Sequence, residues 1–372
     1  MSIKNPLSKV ATWRISSEEE KRLASLADSC ETAKDDYVAF YRDQDPTYFN
    51  KGVALIEKVL DTFRPGASES RRRAYTVDML YSLHRFGCMY DEYFLFGFEL
   101  LNANGREQFV TDKNRYDYYR ILNPGDYYDL FREKDKTYSL FKDFYGRELI
   151  KVSSEEDFEA FCRFRARHSR FIVKPLRGHQ GKGIFIEQQS DDTDQTVFER
   201  ILTGGTVVIE EIVEQVPEMA RLHPESVNTV RIPTLKKKDG DIVIFHPFLR
   251  AGLDTSVVDN AGSGGILAPV DPETGIVTQE GITEAGKQFL AHPDTGVVFP
   301  GFRIPKWEEA VRFAKTLANV IESGVRFVGW DCALTEKGWI MLEGNLYSQF
   351  VDQYATKVGI RKELDELVAP LR

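Results

Sequence analysis

The chain has 372 residues, of which 42% are hydrophobic and 29% charged, with a net charge of −9. That length admits two or three structural units, and the composition is that of a globular protein with a full core. The acidic balance argues against a general nucleic-acid binder, which needs a basic surface, but leaves room for a local basic pocket for phosphates.

The N-terminus (MSIKNPLSKVATWRISSEEE) lacks the apolar core of a signal peptide, and no run of about 18 apolar residues occurs. A cytoplasmic protein without a transmembrane segment is expected. Residues 17–63 read as helical: Ser16 or Ser17 caps an acidic first turn, apolar positions recur at helical spacing, and KGVALIEKVLDTFR stops before Pro65-Gly66. Residues 70–103 read as helical too, interrupted at Gly87, whereas the polar, Arg/Tyr-rich stretch from Gly105 to Gly125 gives no assignable period.

From about residue 148 short β-branched runs appear, among them FIVKP, GIFIEQ, TVVIEEIV, TVRIPTL, DIVIFHPFL, FVGWDCAL and WIMLEGN. Amphipathic helices such as EEDFEAFCRFRARH and WEEAVRFAKTLANVIE lie among them, and KKKDGD marks a hairpin turn. This predicts a helical region over 1–130 followed by an α+β part, divided at 131–212 and 213–372. The four cysteines, Cys30, Cys88, Cys162 and Cys332, form no CxxC pair, which argues for reduced thiols rather than a zinc site or a disulfide framework.

Three segments carry chemistry. In FIVKPLRGHQGKGIFI a strand ends at Lys174, and a loop follows with Gly178, Gly181 and Gly183. Glycines let backbone N–H groups approach phosphate oxygens, while Lys174 and Lys182 supply positive charge. The GxxxxGK[ST] spacing fails, because Ile184 follows Gly183 and a strand comes next. Such a hairpin can also be a plain surface turn.

In Val207-Val-Ile-Glu-Glu-Ile-Val213 an apolar strand runs into two carboxylates. A solvated strand end would explain this. Beside an adenine, backbone groups of Glu211 and Ile212 can pair with the purine edge, Glu210 can accept from its amino group, and Glu218 can hold ribose hydroxyls. The third segment, VGWDCALTEKGWIMLEGN, reads as a hairpin turning at Glu336-Lys337-Gly338. Glu343 and Asn345 are two apart and share a face, so with Asp331 they make a hard oxygen set that suits Mg²⁺. An exposed polar face is the competing reading, opposed by the apolar neighbours Trp330, Met341 and Leu342. Arg231 and Arg250 emerge from apolar runs, an expensive place for a charge without an anionic partner. Asp259-Asn-Ala-Gly-Ser-Gly-Gly265 reads as a polar loop.

The order of these features resembles the ATP-grasp superfamily over about residues 130–350, most specifically in FIVKPLRGHQGKGI and WDCALTEKGWIMLEGN. The resemblance implies two α+β lobes clamping ATP. Lys174 falls on a phosphate-contacting lysine, and Asp135-Lys136 on the pair that opens the grasp domain, making Lys136 a second phosphate contact. Asp331, Glu343 and Asn345 fall on metal ligands, and Arg231 on an arginine facing the transferred phosphate. Nearly the whole chain further resembles the sugar-transfer-associated ATP-grasp family, through YDEYFLFGFELLNANGREQFVT, HPESVNTVRIPTL and EGN. A departure is Leu346-Tyr347-Ser348-Gln349-Phe350, where a Gly/Pro-containing segment is usual.

The implied function is an ATP- and Mg²⁺-dependent ligase that joins a small-molecule carboxylate to an amine, or forms an ester, through an acyl phosphate. Its substrate would be a cell-surface polysaccharide precursor. Arg250 would hold the acceptor carboxylate, and the loop with Gly181, Lys182 and Gly183 would close over ATP. A kinase using the same site and a non-catalytic nucleotide-sensing protein are the alternatives.

Overall fold

The structure is a computed structural model that describes residues 17–125, 127–178, 183–254, 264–321 and 324–372. By compactness the chain groups into two units. One comprises Gly125–Gly281 and Phe289–Ser348, and the other the described residues of Pro6–Pro124, Ile282–Gln288 and Gln349–Arg372. These divisions differ from the segment boundaries read at residues 130 and 212.

The second unit is helical: α1 (Glu18–Ser29), α2 (Ala33–Gln44), α3 (Pro46–Phe63), α4 (Glu69–Phe86), α5 (Tyr90–Leu95), α6 (Ala103–Arg106) and α7 (Arg115–Leu122). Ser17 caps α1 by accepting from the Glu20 N–H, with three glutamates in the first turn facing the positive end of the helix dipole. The stretch read as continuous from residue 17 breaks at Cys30–Thr32, and Asp45 with Pro46 starts α3 afresh. Gly87 ends α4 at φ 69°, a left-handed value that suits glycine. The unassigned Gly105–Gly125 stretch holds α7, whose buried Tyr118, Tyr119 and Leu122 face inward. Buried Asp78 accepts from Arg106 at 2.7 and 2.8 Å and from Lys34 at 2.6 Å, so its charge is fully answered.

The first unit holds two antiparallel sheets. The smaller, in the order β1-β4-β2-β3, is built from β1 (Leu149–Val152), β2 (Phe171–Pro175), β3 (Phe185–Glu187) and β4 (Val207–Glu211). One of its faces packs Phe161 and Phe198 of helices α10 (Phe158–Arg165) and α11 (Asp194–Leu202) against Phe171, Val173, Val207 and Ile209. Strand residues alternate faces. The other face therefore carries Ile172, Lys174, Val208 and Glu210.

The larger sheet contains β5 (Thr229–Lys236), β6 (Ile242–Ile244), β7 (Phe248–Ala251) and β8 (Ile266–Pro269); two short strands, β9 (Gly281–Ile282) and β10 (Gln288–Phe289), follow in the chain. It closes with β11 (Phe327–Thr335) and β12 (Gly338–Asn345) in the order β8-β7-β5-β11-β12, and β6 pairs with β5. The single run DIVIFHPFL becomes two strands because His246 takes φ 50° and turns the chain. Helices α8 (Tyr128–Arg132), α9 (Lys134–Tyr145), α12 (Pro217–Ala220) and α13 (Trp307–Val320) belong to this unit. Phe141 and Tyr145 of α9 and Ala310, Ala314 and Leu317 of α13 join Trp330 and Met341 in its core. The last two helices, α14 (Asp352–Thr356) and α15 (Arg361–Val368), return to the helical unit, where Gln353 exchanges two 3.0 Å bonds with the Val110 backbone.

Gly146 ends α9 with φ 58°, and a Cβ there would stand 2.3 Å from Ile340 Cγ2. Both strain and overlap therefore oppose a side chain. Gly146→Ala is expected to cost about 2–4 kcal/mol of stability, read as a fall in the urea midpoint at unchanged slope.

Candidate active site

The sequence-predicted residues that the structure brings together lie on β2, β4, β5, β7, β11 and β12, all in one compact unit. Arg231, Asp331 and Glu343 stand in a row across β5, β11 and β12, since Asp331 pairs directly with both partners. Opposed residues of antiparallel strands share a face, so this row is fixed by register.

Asp331 is buried and takes Arg231 Nε and Nη2 at 2.6 and 2.7 Å and Arg250 Nη1 at 2.7 Å. Burial disfavours its charge, yet the two guanidiniums hold the carboxyl below the ordinary aspartate range. Asp331 is therefore an anionic partner shared by both arginines, at the place where a transferring phosphate and an acceptor carboxylate were expected. A guanidinium offers five N–H donors, so the pairing with Asp331 does not by itself use up Arg231. Asn345 Nδ2 lies 3.4 Å from Asp331.

Glu343 is half-buried, and among the described residues none donates a hydrogen bond to its carboxylate. Burial, with Asp331 beside it, raises its pKa against the pull of Lys134, Arg231 and Lys174. A partly buried carboxylate that resists ionisation beside a second carboxylate and an amide is a donor set that a hard divalent cation completes. Among the described residues no three His, Cys, Asp or Glu side chains cluster as a metal site.

Lys174 ends β2 and bonds Glu210 of β4 at 2.9 Å. Arg147 bonds the same oxygen at 2.8 Å, and both Arg147 and Glu210 are buried. Burial pushes the Glu210 carboxyl up, but Lys174 and Arg147 overcome this and hold it at about 2. Both bonds fall on Glu210 Oε2, so in this structure Glu210 is the shared anion of Lys174 and Arg147, where an acceptor for an adenine amino group was expected. Glu210 adds stability above its ordinary pKa near 4.5 that is lost as pH falls toward about 2. Glu210→Gln is expected to flatten the acid limb of urea stability between pH 5 and pH 2.5 by roughly 2–3 kcal/mol relative to wild type.

The expected second phosphate contact is Lys136. It is exposed and pairs with Glu133 at 3.0 Å, whereas Lys134 is partly buried near Glu343, Lys174 and Glu210. Burial lowers the Lys134 pKa, with Glu343 opposing. The reason is helical geometry. Two residues apart on a helix point about 200° apart, and Lys134 shares the inward stripe of Thr137, Phe141 and Tyr145. The Lys134 N–H also reaches the Leu176 carbonyl at 3.4 Å, two residues past Lys174.

Of the other expected nucleotide contacts, Glu211 uses its backbone N–H on the Glu148 carbonyl at 3.0 Å and its carboxylate on the Glu148 N–H at 3.1 Å. That leaves the Glu211 carbonyl and Ile212 for a purine edge. Glu218 is exposed in the first turn of α12. Gly183 has φ 74° and returns the Gly-rich loop so that a Cβ would stand 3.0 Å from Pro175. Gly181, Lys182 and residues 259–263 of the second Gly-rich loop lie outside the described residues. Lys134 and Arg147 are the two site residues that sequence reasoning missed. The inward stripe of α9 could have pointed to Lys134, whereas nothing local marks Arg147.

A small and a large antiparallel sheet, with a strand-end lysine on one and a carboxylate–amide set on the other, define an ATP-grasp fold. The chain belongs to the sugar-transfer associated ATP-grasp family, whose model matches residues 113–368. No match to a curated protein was found at a significant level. Solved structures similar to this chain include the ATP-grasp ligase PsnB complexed with a minimal precursor, at 15% identity over 67% of this chain and 63% of that one, TM-score 0.41. N5-carboxyaminoimidazole synthetase from Staphylococcus aureus complexed with ADP follows at 12% over 64% and 52%, TM-score 0.41. D-alanyl-alanine synthetase A from Vibrio cholerae matches at 11% over 64% and 60%, TM-score 0.38. This chain thus spans less than two thirds of each of those chains.

Proposed function

We propose that the protein is an Mg²⁺- and ATP-dependent ligase that activates a carboxylate as an acyl phosphate and passes it to an amine or a hydroxyl. One observation carries the reading: Lys134 and Lys174 on one side and Glu343, Asp331 and Asn345 on the other converge within a single unit. Phosphoryl transfer asks little covalent work of a protein, so charge neutralisation and positioning dominate. Lys134 and Lys174 neutralise the ATP phosphates. Glu343, Asn345 and Asp331 would hold the metal, which would supply positive charge to offset the charge that develops on the phosphates. Arg231 steadies the transferring group, and Arg250 receives the acceptor carboxylate.

A carboxylate oxygen attacks the γ-phosphorus and ADP leaves. The nucleophile then attacks the acyl carbon and phosphate departs. The Glu211 carbonyl and Ile212 meet the adenine, and Glu218 the ribose. The family's sugar-transfer association supports a saccharide-linked acceptor, such as a cell-surface polysaccharide precursor bearing a carboxylate or an amine. Among the described residues no helix is long and apolar enough to cross a membrane.

The test is a mass-spectrometric screen of sugar-acid and amine pairs with Mg·ATP. ADP and phosphate formed only when both partners are present, together with a product at the mass of the amide or ester, is the expected result. A stable phosphorylated product that accumulates without a nucleophile would replace the ligase with a kinase.

A further inference from the structure

β12 contains a bulge. Asp331 pairs with Glu343, but the next residue, Cys332, pairs with Met341, so Leu342 is an extra residue with no partner on β11. In an unbulged ladder continued from the Cys332–Met341 pair, Asp331 would face Leu342, and Glu343 would stand opposite Trp330. The bulge is what places Glu343 across from Asp331, and bulges commonly re-aim a side chain in this way. β12 is the last strand in the order β8-β7-β5-β11-β12, so carbonyls on its outer side have no strand partner and need other donors. Here Arg147 supplies them: Nη1 donates to Met341 O at 2.7 Å and Nη2 to Leu342 O at 3.4 Å. The same guanidinium donates to Tyr145 O at 3.0 Å, lies over the Tyr145 ring at 4.5 Å, and through Nε holds Glu210 at 2.8 Å.

From this geometry we infer that Arg147 is a positioning residue for both halves of the site: it caps the β12 bulge that presents Glu343 to the metal, and through Glu210 it holds Lys174 in line with the phosphates. This rests on the proposed nucleotide site. The two functions of Arg147 separate chemically. Lysine at 147 keeps the charge that faces Glu210, but a compact ammonium lacks the planar fork needed to reach both bulge carbonyls and Glu210 together. Glu210→Gln does the opposite, removing the charge that holds Lys174 while leaving the guanidinium on Met341 and Leu342.

The experiment is calorimetric titration of the full chain with the non-hydrolysable ATP analogue AMPPNP, with and without Mg²⁺, for wild type, R147K and E210Q, alongside thermal melts. R147K is expected to keep its metal-free nucleotide affinity within about threefold and to lose tenfold or more of the enhancement that Mg²⁺ gives. E210Q is expected to show the reverse, weaker metal-free binding with the Mg²⁺ enhancement intact. A merely structural arginine would lower the melting temperature and leave that ratio unchanged. An R147K chain that melts without cooperativity, or one that keeps its Mg²⁺ enhancement, overturns the inference. Absence of AMPPNP binding by the wild type would instead sink the nucleotide-site reading on which it rests.

Discussion

Lys174→Ala is expected to lower kcat/KM for ATP by 10²–10³, about 3–4 kcal/mol of barrier, the scale of removing one preorganised donor from a developing charge. The loss should be shared between KM and kcat, because the lysine neutralises phosphates in the bound nucleotide and again as charge moves during transfer. Stability should change less. Glu210 keeps Arg147 at 2.8 Å after Lys174 is gone, so the buried carboxylate is not orphaned. Steady-state kinetics at saturating acceptor, with a thermal melt as control, checks both parts. Wild-type kcat in Lys174→Ala would contradict the assignment.

Asp331→Ala is expected to act on the fold as well as on the chemistry. It strips Arg231 and buried Arg250 of the carboxylate they share. Removing one partner of a buried ion pair costs about 3–5 kcal/mol, and here the lost carboxylate served two guanidiniums. Urea unfolding should show a loss of at least that size. Asp331→Asn, which keeps the shape and an acceptor oxygen, should lose less. An anion such as sulfate or phosphate should recover part of the deficit in Asp331→Ala by taking the vacant place between the arginines. A variant of wild-type stability would mean that the ion pairs contribute nothing net.

Much of the site was legible in the sequence because strands report their faces directly. Period-2 alternation put Glu343 and Asn345 on one side, and the apolar run FIVKP ended where β2 ends, at Lys174-Pro175. What escaped depends on distance in the chain. Arg147 sits 63 residues from Glu210 and 194 from Met341, and a lone arginine after a helix-ending glycine looks the same whether it is solvated or buried. Lys134 escaped for a different reason. Matching Asp135-Lys136 to a motif overrode the helical stripe through Thr137, Phe141 and Tyr145, which selects the lysine two residues earlier. Glu210 shows the same limit. A carboxylate at a strand end can face a ligand or a neighbouring cation, and only the pairing of β4 with β2 and the approach of Arg147 decide between them. The split of DIVIFHPFL at His246 was likewise invisible to hydrophobic pattern, since it comes from a single residue at positive φ.

The most direct test is a crystal structure of the full chain with AMPPNP and Mn²⁺, using anomalous scattering to locate the metal. The expected result places Mn²⁺ about 2.1–2.2 Å from a Glu343 carboxylate oxygen, with Asn345 beside it and the phosphates reached by Lys134 and Lys174. A nucleotide bound elsewhere, or a metal that leaves Glu343 untouched, would contradict it.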